Sequence, residues 1–472
     1  MTDHDLTYLP ATEALRLFRS RELSPVELMQ AVIARAEVVE PEINAFAEQT
    51  FEDALTQAKQ AEIAYGAGGS PRTLEGLPIA AKEEQPIAGR ISSEGSLALG
   101  EQVADVTHPA IERILGAGGI IHARTTTPEF CCAIFTQSRR WGITRNPWNL
   151  DYSPGGSSGG SAAALAAGTA VLATGSDIAG SIRLPAAATG TVGFKPPYGR
   201  VPGLPPFNLD HYCHDGPMAR TVADCALLEN VMAGPHPIDV ASVRPKVLIP
   251  EQLGEVSGLR IGYAPNLGDW VVEPEIAANT RAAAEALRAT GAIVEEIEVG
   301  LRVAEVRRAM FAHFGAIFGT YVAGIAATHR DLLTPYALAF ARDTAIGPGD
   351  FYAGLELEGK IYAVLGALLE RYDALLFPTT GVTALPAGED FVEAELSIDG
   401  VALDHYLDSA LTPVFNIASR CPVLNVPSGI GRHGVPTGLQ IVGRTYDDAT
   451  VFHIGAALER VRPWPLRPTG RA

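Results

Sequence analysis

The chain has 472 residues, 47% of them hydrophobic and 19% charged, with 54 acidic against 36 basic residues and a formal charge of −18. This composition supplies a large buried core, lacks the basic footprint of a nucleic-acid binder, and contains no apolar run long enough for a membrane span. Five scattered cysteines, two of them adjacent, suit a reducing compartment rather than a disulfide framework, and the start Met1-Thr-Asp-His-Asp-Leu6 has neither basic residues nor an apolar stretch, so a cytoplasmic protein is expected.

In chain order, residues 1–65 read as helices. Ser24-Pro25-Val-Glu27 is a capping box with proline at the first helical position, and Leu28, Met29, Val32, Ile33 and Ala36 follow on one face. The apolar run Gly76-Leu-Pro-Ile-Ala-Ala ahead of Lys82 reads as a buried strand, 110–115 as a helix ending at Gly118-Gly119, and 120–123 as a short buried strand. An alanine-rich helix over 161–167 stops at Gly168. The proline-rich stretch 234–250 is a connector into a β-α-β unit, with strands over 259–264 and 292–299 around a helix over 275–289. The apolar runs 374–377, 423–426 and 439–442 suit a sheet covered on both faces. Within 301–372, Phe311, Phe314, Phe318 and Tyr321 fall at helical spacing on one side, which fits a core or subunit interface and also the wall of a substrate tunnel.

The chemistry concentrates in two serine-bearing stretches, Ser153-Pro-Gly-Gly-Ser-Ser-Gly-Gly-Ser161 and Gly175-Ser-Asp-Ile-Ala-Gly-Ser-Ile-Arg-Leu-Pro185. A serine hydroxyl attacks a carbonyl only if a base takes its proton and nearby donors stabilise the oxyanion. The small residues of Ile178-Ala-Gly-Ser181 let consecutive backbone N–H groups curl into an anion-binding nest. None of the 11 histidines lies in either stretch, which leaves Lys82 as the alternative base. A lysine acts as a base only when its surroundings favour the neutral amine. Glu83 and Glu84, which would oppose that, are expected to point outward.

These stretches, with Gly76-Leu-Pro-Ile-Ala-Ala-Lys82, Asn146-Pro147, Gly193-Phe-Lys-Pro-Pro-Tyr-Gly-Arg200, Gly216-Pro-Met-Ala-Arg-Thr-Val222 and Gly438-Leu-Gln-Ile-Val-Gly-Arg444, resemble the signature of the amidase signature family of serine hydrolases. The resemblance implies an α/β fold, a large mixed sheet covered on both faces by helices, in a single domain over 1–472. Within it lie an N-terminal helical region (1–65), a signature core (76–222) and a variable helical region on the substrate side (301–372). It implies Ser181 as nucleophile, Ser157 as a bridging serine held in a cis peptide, and Lys82 as base. The nest at Ile178, Ala179 and Gly180 is the oxyanion hole, Asp177 and Arg183 support it, and the backbone of Cys131 lines the acyl site. The implied activity is a cofactor-independent amidase on a small-molecule amide. Esters and carbamates (urethanes) are accepted by the same machinery, and a homodimer is common in the family. A catalytically silent relative that binds amide-like ligands is the reading from another class.

Three local patterns carry other readings. Gly156-Ser-Ser-Gly-Gly160 satisfies G-x-S-x-G and would make Ser158 the nucleophile of an α/β-hydrolase, but Asn149-Leu-Asp-Tyr-Ser-Pro154 before it reads as loop where that motif requires a strand. Cys131 is also simply a small core hydrophobe, with nothing local to activate its thiol. Asp210-His-Tyr-Cys-His-Asp215 offers metal ligands in His211 and Cys213 or His214, yet the spacing fits no zinc signature. A mobile loop at the site entrance, with Tyr212 and His214 touching substrate, is the expectation there. Departures from the family pattern are Ala179 for a glycine, Tyr152 for an arginine, Glu83 for an aspartate, and Leu184 where the glutamine-hydrolysing subunit of the tRNA-dependent amidotransferase favours glutamine.

Overall fold

In the computed structural model, residues 3–66 and 69–468 are described; residues 1–2, 67–68 and 469–472 of the expected single domain lie outside them. Eleven strands form the central sheet: β1 (Phe46–Gln49), β2 (Pro78–Lys82), β3 (Ile120–Thr125), β4 (Leu172–Asp177), β5 (Val192–Lys195), β6 (His214–Ala219), β7 (Arg260–Tyr263), β8 (Ile293–Glu296), β9 (Ala374–Pro378), β10 (Val423–Ile430) and β11 (Pro436–Gly443). Their spatial order is β1-β3-β2-β4-β6-β5-β10-β11-β9-β7-β8. The pairs β3·β2, β2·β4, β9·β7 and β7·β8 are parallel and the remaining neighbours antiparallel, so the sheet is mixed, as expected.

The strands alternate strictly, because successive side chains leave opposite faces of a pleated strand. Leu376, Leu424, Leu439 and Ile441 face the helices Val222–Met232, Pro274–Arg288 and Asp448–Val461, together with Cys225, Leu228, Leu287, Phe452 and Leu458. Their neighbours Leu375, Phe377, Val423 and Val442 face the other way, into a second core with Met310, Ile361 and Leu365. On that second side, farther along the sheet, Ala80, Ala123, Ala173 and Met218 pack on the helix Gly159–Ala167 through Ala162–Leu165. Alanine at these contacts lets the helix come close to the sheet, which brings the glycine-serine turn at its start to the ends of β2 and β4.

Two expectations are corrected. The 1–65 region is not all helix. Asn44 takes a left-handed conformation (φ 50°) that ends the helix Pro25–Ile43, and the next residues extend as β1 along β3. The 303–329 segment is not one helix. Val303–Ala316 and Phe318–His329 meet at Ile317, and the two axes bend by 55°. Ile317 leaves helical geometry there (φ −121°, ψ −80°), and Gly315 lets Thr344 pack close, since a Cβ would lie 2.1 Å from the Thr344 carbonyl. All four aromatic residues nevertheless pack in or against one core, as the core reading expects. Phe314 and Phe318 enter the core, Phe318 and Tyr321 reach the cavity described below, and Phe311 faces a separate hollow beside His405. No single helix among the described residues is long and apolar enough to cross a membrane.

Candidate active site

Parallel β2 and β4 end side by side, which sets Lys82 next to Ser176 and Asp177 at their carboxyl ends. Lys82 is fully buried, and its Nζ lies 2.7 Å from Ser157 Oγ and 2.8 Å from Ser176 Oγ. Ser157 stands just before the helix Gly159–Ala167, and its peptide bond to Gly156 is cis. Ser158 N–H donates to the Ser181 carbonyl at 3.1 Å, tying the two serine stretches together. Ser158 Oγ donates to the Ser176 carbonyl (3.2 Å), and the chain before it runs through turns rather than a strand, so the G-x-S-x-G elbow is not formed.

Asp177 organises the turn that carries Ser181. Its carboxylate accepts from Gly180 N–H (2.8 Å), Ile182 N–H (3.2 Å), Arg183 Nε (2.9 Å) and Nη2 (2.8 Å), and Asn416 Nδ2 (2.9 Å). Arg183 continues to the Thr412 carbonyl (3.0 Å), Gln440 Oε1 (2.7 Å) and Asn416 Oδ1 (2.7 Å). Burial alone would push the Asp177 carboxyl up, but Arg183 and Asn416 hold it well below the usual carboxylate range. The positive φ of the turn falls on Gly180 (+125°), where a Cβ would meet Thr412 Oγ1 at 2.0 Å, and not on Ala179. Thr412 Oγ1 in turn donates to the Ala179 carbonyl at 2.6 Å. Of the expected nest, Gly180 N–H is directed to Asp177, while Ile178 lines the cavity.

The expectation that Glu83 and Glu84 point outward is overturned. Beyond Lys82 the chain turns back, with Gln85 N–H bonded to the Lys82 carbonyl (3.0 Å) and Glu83 N–H to the Thr125 carbonyl (3.1 Å). Glu83 is buried and accepts from Ser93 N–H (2.6 Å) and Oγ (2.9 Å). Glu84 reaches Lys82 Nζ at 3.2 Å and accepts from Cys131 Sγ. Burial disfavours the Lys82 ammonium, but Cys131, Glu84 and Asp215 around it more than offset this, and the net direction is upward. Cys131 lines the cavity as a neutral thiol, since burial pushes it well above the ordinary thiol range. Asp215 is itself held by Gln85 Nε2 (2.6 Å) and His108 Nε2 (3.3 Å).

The 210–215 segment is not an open loop, because β6 begins at His214 and Tyr212 is fully buried. Tyr212 stacks on His313 with ring centroids 3.7 Å apart and donates to Glu358 at 2.9 Å, so it does not touch the cavity that His214 lines. The side chains that gather there are Asp210, His211 and His313, not Cys213 or His214. His313 places Nε2 2.7 Å from Asp210 and Nδ1 3.4 Å from Glu358; despite burial these carboxylates raise it to about 9. With both nitrogens facing carboxylates, the ring is held between them as an imidazolium.

Glu84, Cys131, Ser157, Ser176, Asp177, Ile178 and Asp215 border a cavity of about 380 Å³. Ser157, Ser176 and Cys131 form its floor, and Phe207, Phe318 and Tyr321 its apolar wall. Ser176 contacts Lys82, Thr412, Asn416 and Gln440 contact Arg183, and sequence reasoning misses all four. Ser176 has a usable signal, lying in the same stretch as Asp177 at a strand end, but only the β2·β4 pairing shows that it faces the lysine.

Known proteins resemble the chain along almost its whole length. The family model described as "Amidase" matches residues 27–336 and 354–452. An acylamidase of Rhodococcus erythropolis is 33% identical over 98% of both chains, and a glutamyl-tRNA(Gln) amidotransferase subunit of Roseiflexus sp. (strain RS-1) is 34% identical over 98% of both. Among solved structures, a bacterial aryl acylamidase of the amidase signature enzymes superposes with a TM-score of 0.91 at 29% identity, covering 98% of this chain and 99% of its own.

Proposed function

Given that the chain belongs to the amidase signature family and is an enzyme that hydrolyses amide C–N bonds, we propose that Ser181 is its nucleophile and that Ser157 and Lys82 relay the proton. The observation that supports this most is the 2.7 Å contact between Lys82 and Ser157, whose stretch is joined to that of Ser181 by the Ser158–Ser181 backbone bond. In the proposed reaction Ser181 Oγ attacks the carbonyl while its proton passes to Ser157, and Ser157 gives its own proton to neutral Lys82. Backbone N–H groups at Ile178 and Ala179, with Gly180 braced by Asp177, hold the oxyanion. The C–N bond then breaks, the proton returns through Ser157 to the leaving amine, and a water deprotonated along the same path releases the acid from Ser181. We take residues 1–472 as one domain in which 76–222 supplies the chemistry and the helices of 301–372 wall the cavity.

Substrate charge follows from the lining. Glu84, Asp177, Asp215 and Asp239 border the cavity, and no lysine or arginine does among the described residues. A substrate with a free carboxylate near the scissile bond meets an unfavourable field there. This favours a neutral aryl or alkyl amide over glutamine; one similar solved structure is an aryl acylamidase, and Leu184 agrees. Aryl esters and carbamates present the same carbonyl and are proposed as secondary substrates. The test is fluorophosphonate labelling with peptide mapping, followed by a panel of neutral and anionic anilides. Labelling at Ser181 with faster turnover of the neutral members is expected. Labelling elsewhere, or none with a reagent shown to enter the cavity, overturns the assignment.

A further inference from the structure

We propose that Glu84 is the positioning residue that governs the charge of Lys82 and so sets the pH range in which the serine relay works; this rests on the catalytic reading of Lys82, Ser157 and Ser181 given above. The protons on Lys82 can be counted against their partners. Lys82 Nζ has three close oxygens, Ser157 Oγ at 2.7 Å, Ser176 Oγ at 2.8 Å and Glu84 Oε1 at 3.2 Å. An ammonium has three protons and donates to all three. A lysine that serves as base has two protons and a lone pair, so the Ser157 contact must reverse while those to Ser176 and Glu84 remain. Ser176 is neutral and treats the two states nearly alike. Glu84 does not, because its charge attracts the ammonium and not the amine.

The other groups facing this point leave Glu84 the decisive one. From the segment after β3, Cys131 is a neutral thiol that donates to Glu84. Glu94, beside Tyr321, is pushed up to about 8 by burial and by Glu84 and Glu83, and carries little charge near neutral pH. Burial likewise keeps Cys213 neutral. Glu83 is turned to Ser93. Asp215 on β6 is shared with His108 and Gln85. Glu84 alone among these makes a direct contact with Nζ, and the turn after β2 fixes it there.

The experiment compares the pH dependence of kcat/KM for a neutral anilide, and of the fluorophosphonate labelling rate at Ser181, in wild type, Glu84→Gln and Glu84→Asp. In Glu84→Gln the ascending limb is expected to move down by roughly one to three pH units, the size of effect one adjacent opposite charge exerts. Glu84→Asp, which keeps the charge, is expected to restore the limb toward its wild-type position. A limb that stays in place while the whole profile falls would overturn the inference and make Glu84 a packing residue only. Glu84→Ala is measured in parallel so that a folding failure of one variant does not remove the test. Wild-type enzyme with neither turnover nor a Ser181 adduct would overturn the catalytic reading itself, a different outcome from an active enzyme with an unmoved limb.

Discussion

Two ion pairs, one flanking the proposed nucleophile in the chain and one formed by Lys82 at the contact with Ser157, are built in opposite ways. Asp177–Arg183 is saturated. Both side chains are fully buried, the carboxylate accepts from two backbone N–H groups as well as from Arg183 and Asn416, and the guanidinium reaches Thr412, Gln440 and Asn416. Lys82–Glu84 is left adjustable, with the lysine sealed and the glutamate side chain 18% exposed to the cavity. The first pair fixes a backbone; the second, in the proposed relay, lets a proton move. An active site needs both, since a nest must not yield during turnover and a base must.

The comparison can be broken at several points. Ser181→Ala should lower amide turnover by about 10⁴-fold or more with an unchanged thermal transition, and an unaltered rate would remove Ser181 from the mechanism. Lys82→Ala should cost about 10²- to 10⁴-fold in kcat/KM, and substantial activity at neutral pH would assign the base elsewhere. Arg183→Met strands a buried carboxylate, so a loss of about 3–5 kcal/mol in urea-induced unfolding, together with lost activity, is expected; a variant as stable as wild type would show that the saturated pair is dispensable.

The two pairs should also fail at opposite ends of the pH scale. The Asp177 carboxyl is depressed in the fold, so its contribution is present above the unfolded carboxylate range and disappears as pH falls through its folded value. Lys82 is raised, so its contribution is complete below the unfolded lysine range and disappears as pH rises through its folded value. Unfolding free energies of Arg183→Met and Lys82→Ala against wild type across acid and alkaline pH would show each deficit closing at its own end. The smallest effect is expected at the His313 clamp. Raised from 6.5 to about 9, it stabilises fully below its unfolded value and loses that contribution as pH climbs toward about 9, so His313→Gln should flatten the stability curve over that interval.

What the sequence made legible was whatever depends on local order along the chain. The apolar runs at 374–377, 423–426 and 439–442 do sit inside the sheet, the helix over 161–167 does end at Gly168, and Lys82 does meet Ser157. What escaped it depends on contacts between distant segments. Glu83 and Glu84 turn inward because Thr125 captures the Glu83 N–H, and no local signal announces that bond. The aromatic spacing of Phe311 to Tyr321 matched a helix, but Ile317 leaves helical geometry (φ −121°, ψ −80°) and the chain bends between them. Asn416 and Gln440 hold Arg183 from a short helix and a strand more than two hundred residues away.

That last dependence has a consequence for how the enzyme is made. All three residues of the proposed relay emerge from the ribosome early, yet the brace on the nest waits for Thr412, Asn416 and Gln440. A nascent chain that already holds the proposed relay thus lacks this brace until residues 412–440 have been made, and a product cut short before that point would carry Lys82, Ser157 and Ser181 without the contacts that set the turn bearing the proposed nucleophile.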